Sequence, residues 1–188
     1  MADDTHSVLV ATKDSKLCSM ISVMLAAPLF ETRVAGDFNE VRRLAQERAY
    51  NIILVDYADG EGCDFATDIS DSLSTILLMV PQPLYEEISY RVEGYGIITI
   101  ATPFDQFYFY SALKTAIAVQ YKAQRLQSQA TKLKVKMDEI RLVNRAKMLL
   151  MQHLKMTEQE SHRYLEKEAM NRGIKRTALA EEVIRAYG

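Results

Sequence analysis

The sequence has no tryptophan, two cysteines, seven glycines and four prolines in 188 residues. Cys18 and Cys63 stand 45 positions apart, a spacing that fits neither a metal knuckle nor a disulfide framework. They read as small core or surface residues. With no covalent staple, the chain depends on an apolar core, and its length suffices to bury one. No run of about eighteen apolar residues occurs, so no membrane-spanning helix is expected. The stretch MADDTHSVLV is acidic and lacks a basic n-region, so no secretory signal is expected there and the expected setting is the reducing cytoplasm. The glycines form no phosphate loop, and His6, His153 and His162 are scattered. No enzyme, catalytic residue, metal or cofactor is therefore expected.

Two of these scarcities are also uneven along the chain. All four prolines lie at or before Pro103, and neither glycine nor proline occurs from Phe104 to Arg172, a stretch of 69 residues without a strong helix breaker. Charge is split as well. Residues 1–120 carry 8 Lys/Arg against 17 Asp/Glu, a balance of −9, and residues 121–188 carry 15 against 8, a balance of +7. Such asymmetry suggests a basic module bound for a polyanion, joined to an acidic module that is not.

The acidic half alternates short apolar runs with helical patterns. Runs at 8–11, 32–35, 51–56, 75–80 and 96–101 read as strands, and NIILVDY and STILLMV are continuously apolar, as strands buried on both faces should be. Helices are expected over 14–27, over 38–49 behind the capping box Asp37-x-x-Glu40, and near 63–72 and 83–93. The order predicts an α/β fold, a doubly wound parallel five-stranded sheet with its site at the carboxyl ends of the strands. That rule points to Thr12, Lys13, Asp56, Val80 and Thr102.

Those residues carry a resemblance. Residues 7 to about 118 resemble a response-regulator receiver domain: LVDYADGEG is similar to the end of the family's third strand, with Asp56 at the phosphoacceptor position, and Thr102-Pro103-Phe104 resembles the Lys-Pro-Phe after its fifth strand. The site departs from the family. Its acidic pair falls on Thr12-Lys13, its Ser/Thr on Val80, its lysine on Thr102 and its aromatic switch on Thr99. A divalent ion wants carboxylate oxygens, and a transferring phosphoryl group wants that ion and a lysine. The expectation is a pseudo-receiver domain over 1–118, with Asp56 inactive and held ionised by Lys13 across the strand ends.

Past Phe104, Asp105 is a candidate cap for a helix that nothing stops until about His153 or Lys155. Fifty residues at 1.5 Å per residue would span roughly 75 Å. Ala112, Ala116, Val119, Ala123, Leu126, Ala130, Leu133, Met137 and Ile140 alternate by four and three, a heptad seam. The segment 105–140 is expected to form a parallel coiled-coil homodimer, the alternative being a lone helix folded back on its own sheet. Beyond Ile140 the seam turns polar at Asn144 and Lys147, and a second stripe of Leu142, Ala146, Leu149 and His153 is expected to face the tail. The capping box Thr157-x-x-Glu160 opens a helix that stops at Gly173, with Ser161, Leu165 and Ala169 on one face. A last helix from about Lys175 to Tyr187 turns Leu179, Val183 and Ala186 inward, giving a small all-α three-helix bundle.

Residues 141–184 resemble the ANTAR domain, an RNA-binding module of bacterial transcription antiterminators. The matching residues are Ala146-Lys147 with Leu150-Met151, Tyr164-Leu165, Ala169-Met170, Ala180 and Ile184. Met148, Ser161 and Glu166 depart from the family's usual glycine, alanine and basic or polar residue. The resemblance implies an RNA-binding domain over 141–188 in a dimeric clamp that holds two leader-mRNA hairpin loops and prevents terminator formation. Loop-reading proteins place Lys and Arg on the backbone and stack exposed bases. The expected RNA-binding residues are Asn144, Arg145, Lys147, Arg163, Tyr164, Lys167 and Arg172, with His162 as a further stacking candidate and Lys147 foremost, because its face is expected to have no bundle to bury against. Met148, Met151 and Met170 are expected to pack. A regulatory or sequestering protein is a further expected partner. The alternatives are a DNA-binding response regulator and an adaptor using only its coiled coil.

Overall fold

The computed structural model describes residues 5–25 and 27–188. The first four residues of the acidic start, and Ala26 near the end of the first expected helix, lie outside the described residues. The chain divides into two compact units, one through Arg125 and one from Leu126.

In the first unit, β1 (His6–Ala11), α1 (Ser15–Met24), β2 (Phe30–Ala35), α2 (Phe38–Glu47), β3 (Ile52–Asp56), α3 (Glu61–Asp68), β4 (Thr75–Pro81), α4 (Tyr85–Val92) and β5 (Ile98–Thr102) alternate, and α5 (Gln106–Leu154) begins here. The five strands pair in parallel in the order β2-β1-β3-β4-β5. The period of two along each strand sorts the apolar runs onto two faces. Leu9, Ile53, Val55, Leu78 and Val80 face α2, α3 and α4, through Val41, Leu44, Phe65, Ala66, Ile88 and Val92. Val8, Val10, Leu54, Leu77 and Met79 face α1 and the start of α5, through Ile21, Phe109, Leu113, Ala116 and Ile117. This two-sided burial is why the central strands carry no polar alternation.

The helices begin where side chains satisfy their first amides. Asp14 accepts from the Lys16 and Leu17 amides, Asp37 from those of Asn39 and Glu40, and Asp105 from that of Tyr108. The second helix stops at Glu47, short of the expected 49, because Arg48 turns extended and forks onto Glu31 with two 2.6 Å hydrogen bonds.

In the second unit, the end of α5 packs with α6 (Glu158–Arg172) and α7 (Arg176–Tyr187). The core is Val143, Ala146, Leu150, Leu165, Ala169, Leu179, Ala180 and Val183, with Ser161 also buried. Four expectations are corrected here. The inward stripe of α5 runs through Val143, Ala146 and Leu150. Leu142 and Leu149 only flank it, and His153 is exposed with its ring 5.5 Å from that of Tyr187. On α7 Ala180 is buried and Ala186 exposed. Met148, Met151 and Met170 do not pack: Met170 is 77% exposed and Met148 68%. Finally, Ala116 is fully buried against the sheet and Ala112 partly so, which removes both from any seam between chains. The exposed part of the heptad starts at Val119 and continues through Ala123, Leu126, Ala130, Leu133, Met137 and Ile140. Among the described residues, no helix is long and apolar enough to cross a membrane.

The expected capping box is present in full: Thr157 Oγ1 accepts from the Glu160 amide, and Glu160 Oε2 accepts from the Thr157 amide at 2.8 Å. The Thr157 backbone and hydroxyl donors hold the Glu160 carboxyl below its ordinary value of 4.5. A carboxyl whose folded value is depressed stabilises fully above the ordinary value and loses that contribution as pH falls through the folded one. Thr157→Ala is expected to cost about 1 kcal/mol at neutral pH and to lose part of its effect below pH 4.5. Hydrogen exchange at the first amides of α6 across that range checks it; a pH-independent cost would contradict the reciprocal pair.

Candidate functional site

In a sheet ordered 2-1-3, the crevice opens where β1 and β3 end side by side. The residues expected there converge, but in a different arrangement. Thr12 is buried, its Oγ1 donates to Asp56 Oδ2 at 2.8 Å, and the Asp14 amide donates to the same Thr12 oxygen at 3.0 Å. Lys13 does not pair with Asp56. Its Nζ lies 3.8 Å from Glu61, both side chains being about two-thirds exposed. Both residues lie just past the end of β1, where Thr12 reaches Asp56 and Lys13 turns out to Glu61. Asp14 is committed as the cap of α1.

The remaining receiver positions lie on β4 and β5 and do not line the space at Asp56. Val80 is fully buried, and Thr102 sits half-buried beside Pro81 across the β4–β5 pairing. Thr99 Oγ1 lies 3.1 Å from Ser89 Oγ. Behind Asp56 the chain is tightly wound, with left-handed backbone at Ala58, Asp59 and Gly60. Gly62 then brings α3 onto the Asp56 carbonyl so closely that an added Cβ would stand 1.8 Å from that oxygen. The space left between Thr12, Lys13, Asp37, Asp56 and Ala58 is about 10 Å³, room for about one water. The divalent ion of receiver chemistry does not fit these residues: a threonine and a lysine replace its carboxylates, and no group of three acidic, His or Cys residues among the described residues could hold a metal.

In the second unit, a cleft of about 650 Å³ lies among α5, α6 and the start of α7. Helical spacing puts Lys136, Glu139, Ile140, Val143, Asn144 and Lys147 on one face of α5, so the cleft carries a carboxylate as well as its cations. His162 enters from α6, and Lys175 and Arg176 from the beginning of α7. Lys147 lies against the bundle, contrary to the expectation of a free face: its side chain is only 15% exposed, and its Nζ donates to Glu158 Oε1 at 3.0 Å. Arg176 Nη1 donates to Glu166 Oε1 at 3.1 Å, and His162 Nε2 lies 3.3 Å from the same oxygen.

The other expected RNA-binding residues are not brought to this cleft. Arg145, Arg163, Tyr164 and Lys167 are exposed elsewhere on the unit. Arg172 forks onto Glu182 at 2.6 and 3.0 Å, a pairing that holds the Glu182 carboxyl below its usual range. Sequence reasoning missed Lys136, Lys175 and Arg176. The signal for the last two was the pair of bases directly after the Gly173 helix stop, where the chain turns back over the bundle.

Residues 131–184 match the family model of the ANTAR domain. The chain is similar in structure to NtrX from Brucella abortus, with a TM-score of 0.58 and 16% identity, covering 69% of this chain and 29% of that one. It is also similar to the signal receiver domain of an HD domain-containing protein from Pseudomonas fluorescens Pf-5, with a TM-score of 0.58 and 15% identity over 64% of this chain and 93% of that one. A third likeness is to the chemotaxis protein CheY4 of Vibrio cholerae, with a TM-score of 0.51 and 18% identity over 60% of this chain and 98% of that one. The chain thus spans less than a third of the length of NtrX and nearly all of the other two. At such identities the likeness is one of fold. No curated protein matches the sequence. The fold class is therefore a receiver-like α/β sheet followed by a long helix and further helices. The match to the ANTAR domain lies on the C-terminal side of that sheet, over residues 131–184.

The crevice geometry separates two substitutions. Thr12→Val removes the buried donor to Asp56 and is expected to cost about 1–3 kcal/mol. Lys13→Ala breaks only an exposed pair and is expected to change stability by less than about 0.5 kcal/mol. Denaturant unfolding of both variants checks the ranking; equal costs would restore a Lys13–Asp56 bond.

Proposed function

We propose that the chain is a cytoplasmic, non-enzymatic transcription antitermination regulator that binds hairpin loops of leader mRNA as a homodimer. The observation that carries the RNA reading is the cleft of the ANTAR unit, where Lys136, Lys147, Lys175 and Arg176 gather over the apolar side chains of Ile140 and Val143. Cations over an apolar floor suit a phosphate backbone with its bases unstacked. Asn144 and Lys147 act there, and Arg145, Arg163, Tyr164 and Lys167 extend the contact over the outer surface. Dimerisation uses the segment 105–140, whose exposed seam runs from Val119 to Ile140. Leu133 is 65% exposed and Leu126 55%, an apolar stripe that a second copy would cover.

The receiver-like unit in this reading is a pseudo-receiver over 1–118 that does not work by phosphorylation. The Thr12–Asp56 hydrogen bond occupies the acceptor carboxylate, and the crevice holds neither the carboxylates for a divalent ion nor a lysine at Thr102. Input comes instead from a partner protein that sequesters or releases the RNA-binding dimer.

Two measurements test this. Gel shifts should show salt-dependent binding to leader-type RNA hairpins and none to duplex DNA of the same length, with log affinity falling by about 0.7 per log salt for each phosphate neutralised. Preferential DNA binding would replace this reading with that of a DNA-binding regulator. Acetyl phosphate with Mg²⁺ should leave the protein unlabelled. Stoichiometric labelling that disappears in Asp56→Asn would show a working receiver.

A further inference from the structure

We propose that the ANTAR-unit cleft takes a phosphodiester of single-stranded RNA, and that Glu158 and Glu166 are built-in competitors which that phosphate must displace. The proposal rests on the RNA-binding reading above and adds a subsite and an internal brake to it. The cleft's cations fall into two groups. Among the described residues, Lys136 and Lys175 make no ion pair and Asn144 no side-chain hydrogen bond, so these three stand ready. Lys147 and Arg176 are occupied, each by one carboxylate oxygen at 3.0 and 3.1 Å. Those are the separations a phosphate oxygen would take on the same donors.

The carboxylates hold these positions from outside the cleft floor. The Glu158 side chain is 74% exposed, whereas that of its partner Lys147 is 15% exposed. The glutamate can therefore swing into water while the ammonium stays in place. Glu166 serves Arg176 and His162 together, so its departure frees two groups at once. An arriving phosphate gains contacts from Lys136, Lys147, Lys175 and Arg176, but two of the four first give up a carboxylate. The affinity is accordingly lower than these cations alone would give, and binding leaves both glutamates solvated.

The test uses the full chain and a pool of short fluorescent RNA hairpins with randomised loops, followed by anisotropy over a salt series. Glu158→Gln and Glu166→Gln are each expected to tighten binding about threefold, the scale of an exposed ion pair. Glu168→Gln removes the same charge outside the cleft and is expected to leave affinity unchanged. Lys175→Ala is expected to weaken binding several-fold and to flatten the log–log salt slope by about 0.7. Helix content by circular dichroism should match in all variants. If the unaltered chain binds the pool but Lys175→Ala binds equally well, the subsite is wrong and the RNA reading stands. If the Glu158 and Glu166 variants gain no more than Glu168→Gln, the competitor role is wrong. If the unaltered chain binds no RNA in the pool, both readings fall.

Discussion

The period of the α-helix is the constraint on which the rest of this chain depends. Without glycine or proline from Phe104 to Arg172, α5 contains no strong helix breaker. Each turn must bury whatever stripe faces a neighbour and expose the rest. Phe109, Leu113, Ala116 and Ile117 meet the sheet, and Val143, Ala146 and Leu150 meet α6 and α7. Between them, Leu126, Leu133 and Met137 stand about half or more exposed, although they are as apolar as the buried residues at either end. A helix with three successive apolar stripes and two partners has one stripe left over. That surplus is the strongest physical argument for a second copy.

The crevice at the ends of β1 and β3 follows the same logic at the scale of one hydrogen bond. A carboxylate at a sheet end needs donors or cations. Here the donor is a buried threonine hydroxyl that is itself fixed by the Asp14 amide. Once Thr12 supplies it, Lys13 is free to turn outward to Glu61 and Asp14 to cap α1. The tight approach at Gly62 seals the arrangement from behind. Thr12, Asp14 and one oxygen of Asp56 are thus engaged in holding the local fold.

Most of the architecture was legible because it rests on short-range rules. Strand runs, Asp and Thr caps and the Gly173 stop depend on a few adjacent residues, and they stand within a few positions of where the pattern puts them. What was not legible depends on direction. A four-three repeat marks an apolar stripe but not its partner, so Ala116 joined the same row as Leu133 although one faces the sheet and the other solvent. At Val143 and Leu150 a rotation of one residue separates the true inward stripe from Leu142 and Leu149. The methionines illustrate the opposite error: apolar character suggested packing, yet Met148 and Met170 lie outside the core. The cleft was only half visible, because Lys175 and Arg176 come to Lys147 through the turn at Gly173, and no local rule states how far such a turn carries the chain.

The charge split also changes meaning once pairings are considered. A balance of +7 over residues 121–188 suggests a uniformly basic tail. In the folded unit, Glu158, Glu166 and Glu182 sit on Lys147, Arg176 and Arg172, so several of the cations are already neutralised. Attraction at long range depends on the net balance, but contact depends on the cations that can be uncovered. Arg172 is held by two hydrogen bonds to Glu182, whose carboxyl that pairing holds below its usual range, which makes it a structural tie between α6 and α7. Lys147 and Arg176 are each held through one oxygen, which makes them exchangeable. The difference between a forked pair and a single contact thus separates Arg172, tied through two bonds, from Lys147 and Arg176, each tied through one.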